Sequence, residues 1–193
     1  MTVAVVGSGP SLATFDLEAL RGRRFIAINS SCRRMAQIAT AGDILYFTDN
    51  AWNENRPELA KNWPGVVISS NRNVKARLGD AVRFIDVTDL SQWMGTRGDY
   101  VQASSGHIAT CLAFRMGAAR VALVAFECGA VGGRTHGHND YQAHDVGVYP
   151  ARFLPGWEGL APVFERRGFD VVNTTPHSAI ECFRRADLAD VTA

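Results

Sequence analysis

His136, His138 and His144 fall within one glycine-rich stretch beside Asp140, Tyr141 and Asp145. Imidazole titrates nearest neutral pH, so a histidine aimed at an acceptor hydroxyl can take its proton while a sugar or phosphoryl bond forms. His138 is the first candidate for such a catalytic base and His136 the second. Imidazole and carboxylate together also suit zinc or manganese, although this spacing matches no helix-borne H-E-x-x-H pattern. No metal ligands are assigned, and a polar loop without chemistry is the third reading.

A second chemical signal opens the chain. Val3 to Val6 has the character of a buried strand and runs into Gly7-Ser8-Gly9-Pro10-Ser11-Leu12. Glycine permits positive φ and close approach to a ligand, while serine hydroxyls and free amides offer donors to an anion. The loop therefore reads as a phosphate cradle, with a tight ligand-free turn as the plain alternative. Pro10 removes one donor, and neither the spacing G-x-G-x-x-G nor a phosphate-loop lysine is present.

These groups need a scaffold, and apolar runs of strand length alternate with amphipathic stretches along the chain. Strands are predicted over 2–6, 24–29, 43–48, 65–69, 83–86, 120–125 and 170–173, and helices over 31–40, 51–62, 105–116, 156–167 and 177–189. This order predicts an α/β fold: a single Rossmann-like, three-layer domain over 1–193 with a mostly parallel sheet. Ligands in such sheets sit beyond the carboxyl ends of the strands. Polar clusters fall on that rim: the first loop; Asn29-Ser30-Ser31; Thr48-Asp49-Asn50; Ser104-Ser105-Gly106-His107; Glu127; and Thr174 to Ser178. Capping preferences explain any one of them, and their coincidence favours a site. The connection 128–155 is unusually long for a compact domain and reads as a His/Gly-rich lid.

Bulk composition narrows the classes. With 193 residues and 47% hydrophobic content the chain can bury one ordinary core. Its 20 Lys and Arg nearly cancel 19 Asp and Glu, so the summed charge gives no pull toward nucleic acid or an anionic membrane. Cys32, Cys111, Cys128 and Cys182 form no C-x-x-C pair and have no histidine partner legible in the sequence. That usage fits reduced thiols in a cytoplasmic protein. No apolar run is long enough to span a membrane, and a strand beginning at residue 2 leaves no room for a signal peptide.

The loop Val5-Val6-Gly7-Ser8-Gly9-Pro10-Ser11-Leu12, the Ile28-Asn29 pair, Phe47-Thr48-Asp49-Asn50, Ser104-Ser105-Gly106 with the following helix through Met116-Gly117-Ala118, and Pro176-His177-Ser178 together resemble a known superfamily. It is that of the bacterial sialyltransferases of glycosyltransferase family 42, with the related archaeal pterin diphosphokinases of MptE type and phage proteins. The resemblance implies that Gly7, Ser8, Gly9, Ser11, Asn29 and Asn50 contact a cytidine nucleotide, and that Ser104, Ser105 and Gly106 hold its ribose or phosphate. It also implies a tyrosine pair near the leaving phosphate and a lid histidine as base. The chain departs there, with Gly129 roughly where one tyrosine is expected and Tyr141 and Tyr149 at unfamiliar spacing.

The remaining candidates carry paired readings. His107 can donate to a phosphate or pack on the sheet, and His177 and Ser178 read as ligand contacts. Glu127 can bind a ribose diol or an acceptor amine, or pair with Arg134. Trp52 can stack on a base. Asp49 joins the ligand-binding set. The expected function is binding of a nucleotide or nucleotide-sugar at the Gly7–Leu12 loop with glycosyl transfer. Alternatives are a non-catalytic binder of a nucleotide-derived ligand, and an ATP-dependent diphosphokinase using Mg²⁺ held by Asp49, Glu127 and Asp140. No other cofactor is assigned; the partner is a small nucleotide-type molecule, and the oligomeric state, including a homo-oligomer, is open.

Overall fold

In a computed structural model that describes residues 1–140 and 146–192, one sheet organises the chain. Its strands are β1 (Thr2–Val6), β2 (Phe25–Ile28), β3 (Ile44–Phe47), β4 (Val66–Ser69), β5 (Arg83–Phe84), β6 (Arg120–Val124), β7 (Asp170–Asn173) and β8 (Arg184–Arg185). Their order is β5-β4-β3-β2-β1-β6-β7-β8, and every pairing is parallel. The chain builds outward from β1 to β5, then returns to the other side of β1 as β6. The order therefore reverses between β1 and β6, which opens a crevice at their carboxyl ends.

Helices cover both faces: α1 (Cys32–Met35), α2 (Asn50–Asn55), α3 (Pro57–Lys61), α4 (Arg72–Leu78), α5 (Val87–Met94), α6 (Gly98–Val101), α7 (Ser105–Arg115), α8 (Leu154–Arg166) and α9 (Leu188–Thr192). The two-residue period of the strands divides the core. Val3, Val5, Ile26, Ile28, Ile44 and Tyr46 face the layer containing α7 and α8. Ala4, Val6, Phe25, Ala27, Leu45 and Phe47 face the opposite layer with Met35, Trp52 and Trp63. The domain is thus the three-layer Rossmann-like α/β fold expected, with a fully parallel sheet. No helix among the described residues is long and apolar enough to cross a membrane.

Three departures from the predicted elements have local causes. The helix expected over 51–62 breaks at Arg56, whose φ of −144° leaves the helical region because Pro57 follows it. The helix expected over 177–189 is instead a turn, the edge strand β8 and the short α9. There the Asn173 amide donates to the Ile180 carbonyl at 2.9 Å and Arg184 pairs with Asp170 at 2.9 Å, so tertiary bonds override local periodicity. The described residues of the connection 128–155 include regular features. Val131 and Arg134 form an isolated bridge, and Tyr149–Phe153 makes a π-helical turn leading into α8.

Candidate functional site

A cleft of about 360 Å³ lies at the reversal between β1 and β6, within the ~300–1,000 Å³ range usual for small-molecule sites. Gly7, Ser8 and Gly9 form one wall; Asn29, Thr48 and Asp49 line it from the tips of β2 and β3. Ser104, Ser105 and Gly106 close it from the N-terminus of α7, and Glu127 and Cys128 from the exit of β6. His136, Tyr149 and Arg152 complete the lining.

The first loop is built by close approach. A Cβ on Gly7 would stand 2.5 Å from the Ala125 carbonyl, and one on Gly9 would stand 1.8 Å from Glu127 Oε2. Four of its amides, however, are already engaged. Gly7 N–H donates to Val124 O at 2.8 Å, Gly9 N–H to Ala125 O at 3.0 Å, and Leu12 N–H to Gly9 O at 3.0 Å. Ser11 N–H donates to Glu127 Oε1 at 2.6 Å. The expected cradle of main-chain amides is therefore largely taken up within the protein at this bend, with a protein carboxylate on the Ser11 amide. Ser11 contributes this amide and does not line the cleft, whereas Gly7, Ser8 and Gly9 do.

Glu127 is 2% exposed. It sits between Ala125 at φ 58° and Cys128 at φ 50°, two left-handed non-glycine residues, each costing about 1–2 kcal/mol. The exit of β7 holds this bend: Phe126 N–H donates to Thr175 Oγ1 at 2.9 Å, Ser178 Oγ to Phe126 O at 2.6 Å, and Ala179 N–H to Glu127 O at 2.8 Å. Ser178 is thereby a buried brace outside the cleft, and His177 is exposed on the neighbouring turn. The Glu127–Arg134 ion pair does not occur; Arg134 is exposed and its backbone pairs with Val131.

At α7 the Ser104 hydroxyl accepts from Gly106 N–H at 3.2 Å and donates to His107 Nδ1 at 2.7 Å. His107 Nε2–H donates to Phe153 O at 3.0 Å, and the ring stacks on Trp157 with centroids 3.9 Å apart. Burial, helped by the Arg152 charge and opposed by the Phe153 bond, pushes its pKa down to about 3. His107 is thus a neutral core residue that locks the cap, which settles its paired readings toward packing. Ser105 and Gly106 remain at the cleft, where the helix's first amides and dipole favour negative charge. Arg152 stands at the same cleft with Nη2 donating to Gln102 O at 2.8 Å. Arg152 carries no signal legible in the sequence, standing two positions after Pro150 in a stretch without a recognisable motif.

The other candidate residues lie in varied surroundings. Asn50 turns away, donating to Glu54 Oε1 at 2.7 Å and accepting from Arg77 at 3.0 Å. Asp49 stays at the cleft while its Oδ1 accepts from Trp52 N–H at 3.1 Å. Trp52 is 1% exposed, with Nε1 donating to Ser30 Oγ at 2.8 Å, and is closed to a base. Of the histidines, His136 is among the residues lining the cleft, and His138 stacks beside it with centroids 5.1 Å apart. His144, Tyr141 and Asp145 lie outside the described residues. Among the described residues no three His, Cys, Asp or Glu side chains gather in a group that could hold a metal ion.

The segment from Thr135 to Asp140 crosses the first loop as a strap. Gly137 N–H donates to Ser8 O at 2.9 Å. Asp140 is gripped by Arg33 at 2.9 Å and Arg56 at 3.2 Å. Tyr149 beneath it is 7% exposed, and its pKa is raised to about 12, chiefly by burial with the Glu127 charge adding, against a Thr135 hydrogen bond. Burial likewise pushes the Cys128 thiol up to about 12, so it stays protonated and is no nucleophile.

No protein-family model and no curated protein sequence matches the chain. Solved structures do. A sialyltransferase, CST-II, in complex with a trisaccharide acceptor and CMP superposes with a TM-score of 0.64 at 12% identity, covering 100% of this chain and 88% of that one. An asparagine-to-alanine variant of the same enzyme with CMP gives 0.62 at 11% identity over the same shares. The MAf glycosyltransferase from Magnetospirillum magneticum AMB-1 gives 0.63 at 17% identity, covering 97% of this chain and 33% of that protein. The chain shares the fold of these glycosyltransferases along essentially its whole length.

Proposed function

We propose that the cleft binds a nucleotide-sugar and that the chain transfers its glycosyl group to an acceptor hydroxyl. The observation that carries this reading is a ligand-sized cleft at the sheet's reversal point, in a fold shared over the full chain with a sialyltransferase bound to CMP and a trisaccharide acceptor. In this reading residues 1–193 act as one nucleotide-binding domain, and the strap within 128–155 is its lid. The phosphate lies against the N-terminus of α7 and Arg152 rather than in the amides of the first loop. The nucleoside extends toward Asn29 and Asp49. His136 takes the acceptor proton as the new bond forms, and Tyr149, held protonated, is the phenol available to the departing phosphate.

Calorimetry with a panel of nucleoside 5′-monophosphates tests the binding half, and absence of heat with every member overturns it. Incubation with nucleotide-sugars followed by mass spectrometry tests the transfer half. Released nucleotide supports transfer; intact ligand at one equivalent per chain marks a non-catalytic binder. Magnesium-dependent ATP consumption would instead mark diphosphoryl transfer, for which Asp140 is already committed to Arg33 and Arg56. His136→Ala should lower turnover by about 100-fold or more while sparing affinity; unchanged turnover removes it from the base role.

A further inference from the structure

Two buried acceptor oxygens at the cleft have no hydrogen-bond partner among the described residues: Glu127 Oε2 and Asn29 Oδ1. Glu127 is the more telling. Its Oε1 takes the Ser11 amide, while Oε2 lies against Gly9, which presents only a Cα there. None of the ion pairs among the described residues includes Glu127. Leaving a buried carboxylate oxygen without a donor is costly. The fold nonetheless fixes it there through two left-handed residues and the braces from the β7 exit. Strain concentrated around a half-satisfied acceptor at a cleft marks a group whose missing donor arrives with the ligand. Asn29, itself at φ 49°, offers a second acceptor from the tip of β2 on the other side of β1.

We infer that Glu127, together with Asn29, is the specificity determinant of the cleft: it recognises paired hydroxyl donors on the ligand's ribose and keeps phosphate off the first loop. The inference rests on the nucleotide reading and adds its orientation. A carboxylate repels phosphate at short range and accepts from hydroxyls, whereas the α7 N-terminus and Arg152, which line the same cleft, favour negative charge. A nucleotide meets this polarity in one sense, with its vicinal diol toward Glu127 and its phosphate toward Arg152.

The test compares ribonucleoside 5′-monophosphates with their 2′-deoxy and 3′-deoxy counterparts by calorimetry on the wild-type chain, then on Glu127→Gln. Removing a hydroxyl that meets the carboxylate should weaken wild-type binding at least about tenfold. Glu127→Gln should narrow that ratio to about threefold or less, because an amide nitrogen donates where the carboxylate accepted. Equal affinity for ribo and deoxy ligands in the wild type overturns this inference and leaves the nucleotide reading standing. Discrimination that follows a base amino group instead also overturns it, in favour of an amine at Glu127. Binding of no monophosphate overturns both. Should Glu127→Gln fail to fold, the wild-type ratio still decides.

Discussion

Replacing Asp140 by Asn should loosen the strap by a calculable and pH-dependent amount. Burial opposes ionisation of this carboxyl, but hydrogen bonds from Arg33 and Ser30 and the charges of Arg33 and Arg56 prevail and hold its pKa near 2, against an ordinary 3.8. A depression of that size corresponds to about 2.5 kcal/mol. Arg33 is 44% exposed, so solvent screening cuts the usable share to about 1 kcal/mol. Because the folded-state value is the depressed one, the stabilisation is complete above about pH 4 and drains away as pH falls toward 2. Asp140→Asn should therefore be about 1 kcal/mol less stable at pH 7, a loss of about 2–4 °C in Tm for a chain of this size. Urea unfolding of both proteins from pH 7 to pH 2.5 measures the gap, which should shrink to about a third over the last two pH units. Equal stability at pH 7, or a gap undiminished at pH 2.5, would refute the electrostatic account of the strap.

Three further outcomes follow from the same geometry. His107, held near pKa 3 by burial, should cost stability below its ordinary value of about 6.5, so the wild type should lose about 2 kcal/mol between pH 7 and pH 5 from this residue; the slope should flatten in His107→Gln when unfolding is followed across that range. Gly9→Ala forces a methyl to within 1.8 Å of Glu127 Oε2 although Gly9 has an ordinary φ of −66°, and the overpacking should cost about 1–3 kcal/mol by thermal unfolding. His177→Gly relieves a left-handed residue at φ 56° on an exposed turn. It should raise stability by about 0.5–1 kcal/mol and leave nucleotide affinity in calorimetry unchanged; weakened affinity would return His177 to the site.

The sheet was largely legible because each of its inner strands is a short apolar run, and alternate residues simply face opposite layers. β1 and β7 match their predicted limits, and most others differ only by frayed ends. Elements held by distant partners were not legible. β8 consists of two exposed arginines that pair only because Val172 and Asn173 lie alongside, whereas α4 and α5 went unpredicted although Asn71 and Asp86 cap their starts. The site was legible as a set of loops on one rim, since Gly9, Asn29, Asp49, Ser105, Glu127 and His136 do line a single cleft. What each polar group does with its hydrogen bonds was not legible. The β7 exit reads like a ligand loop from its Thr-Thr-Pro-His-Ser composition, yet Thr175 and Ser178 are spent on the backbone of Phe126. The first loop likewise advertises free amides that a glutamate 116 positions away partly consumes.

That last bond, with the braces from the β7 exit, gives the cleft an assembly order. Its walls come from residues 7–9, 104–106 and 125–128, and the bend bearing Glu127 is tied down by Thr175 and Ser178. Contacts so distant along the chain close late in folding. A polypeptide emerging from the ribosome would therefore carry the glycine loop for most of its synthesis without any competent receptor for a small molecule, gaining one only when the segment after β7 docks.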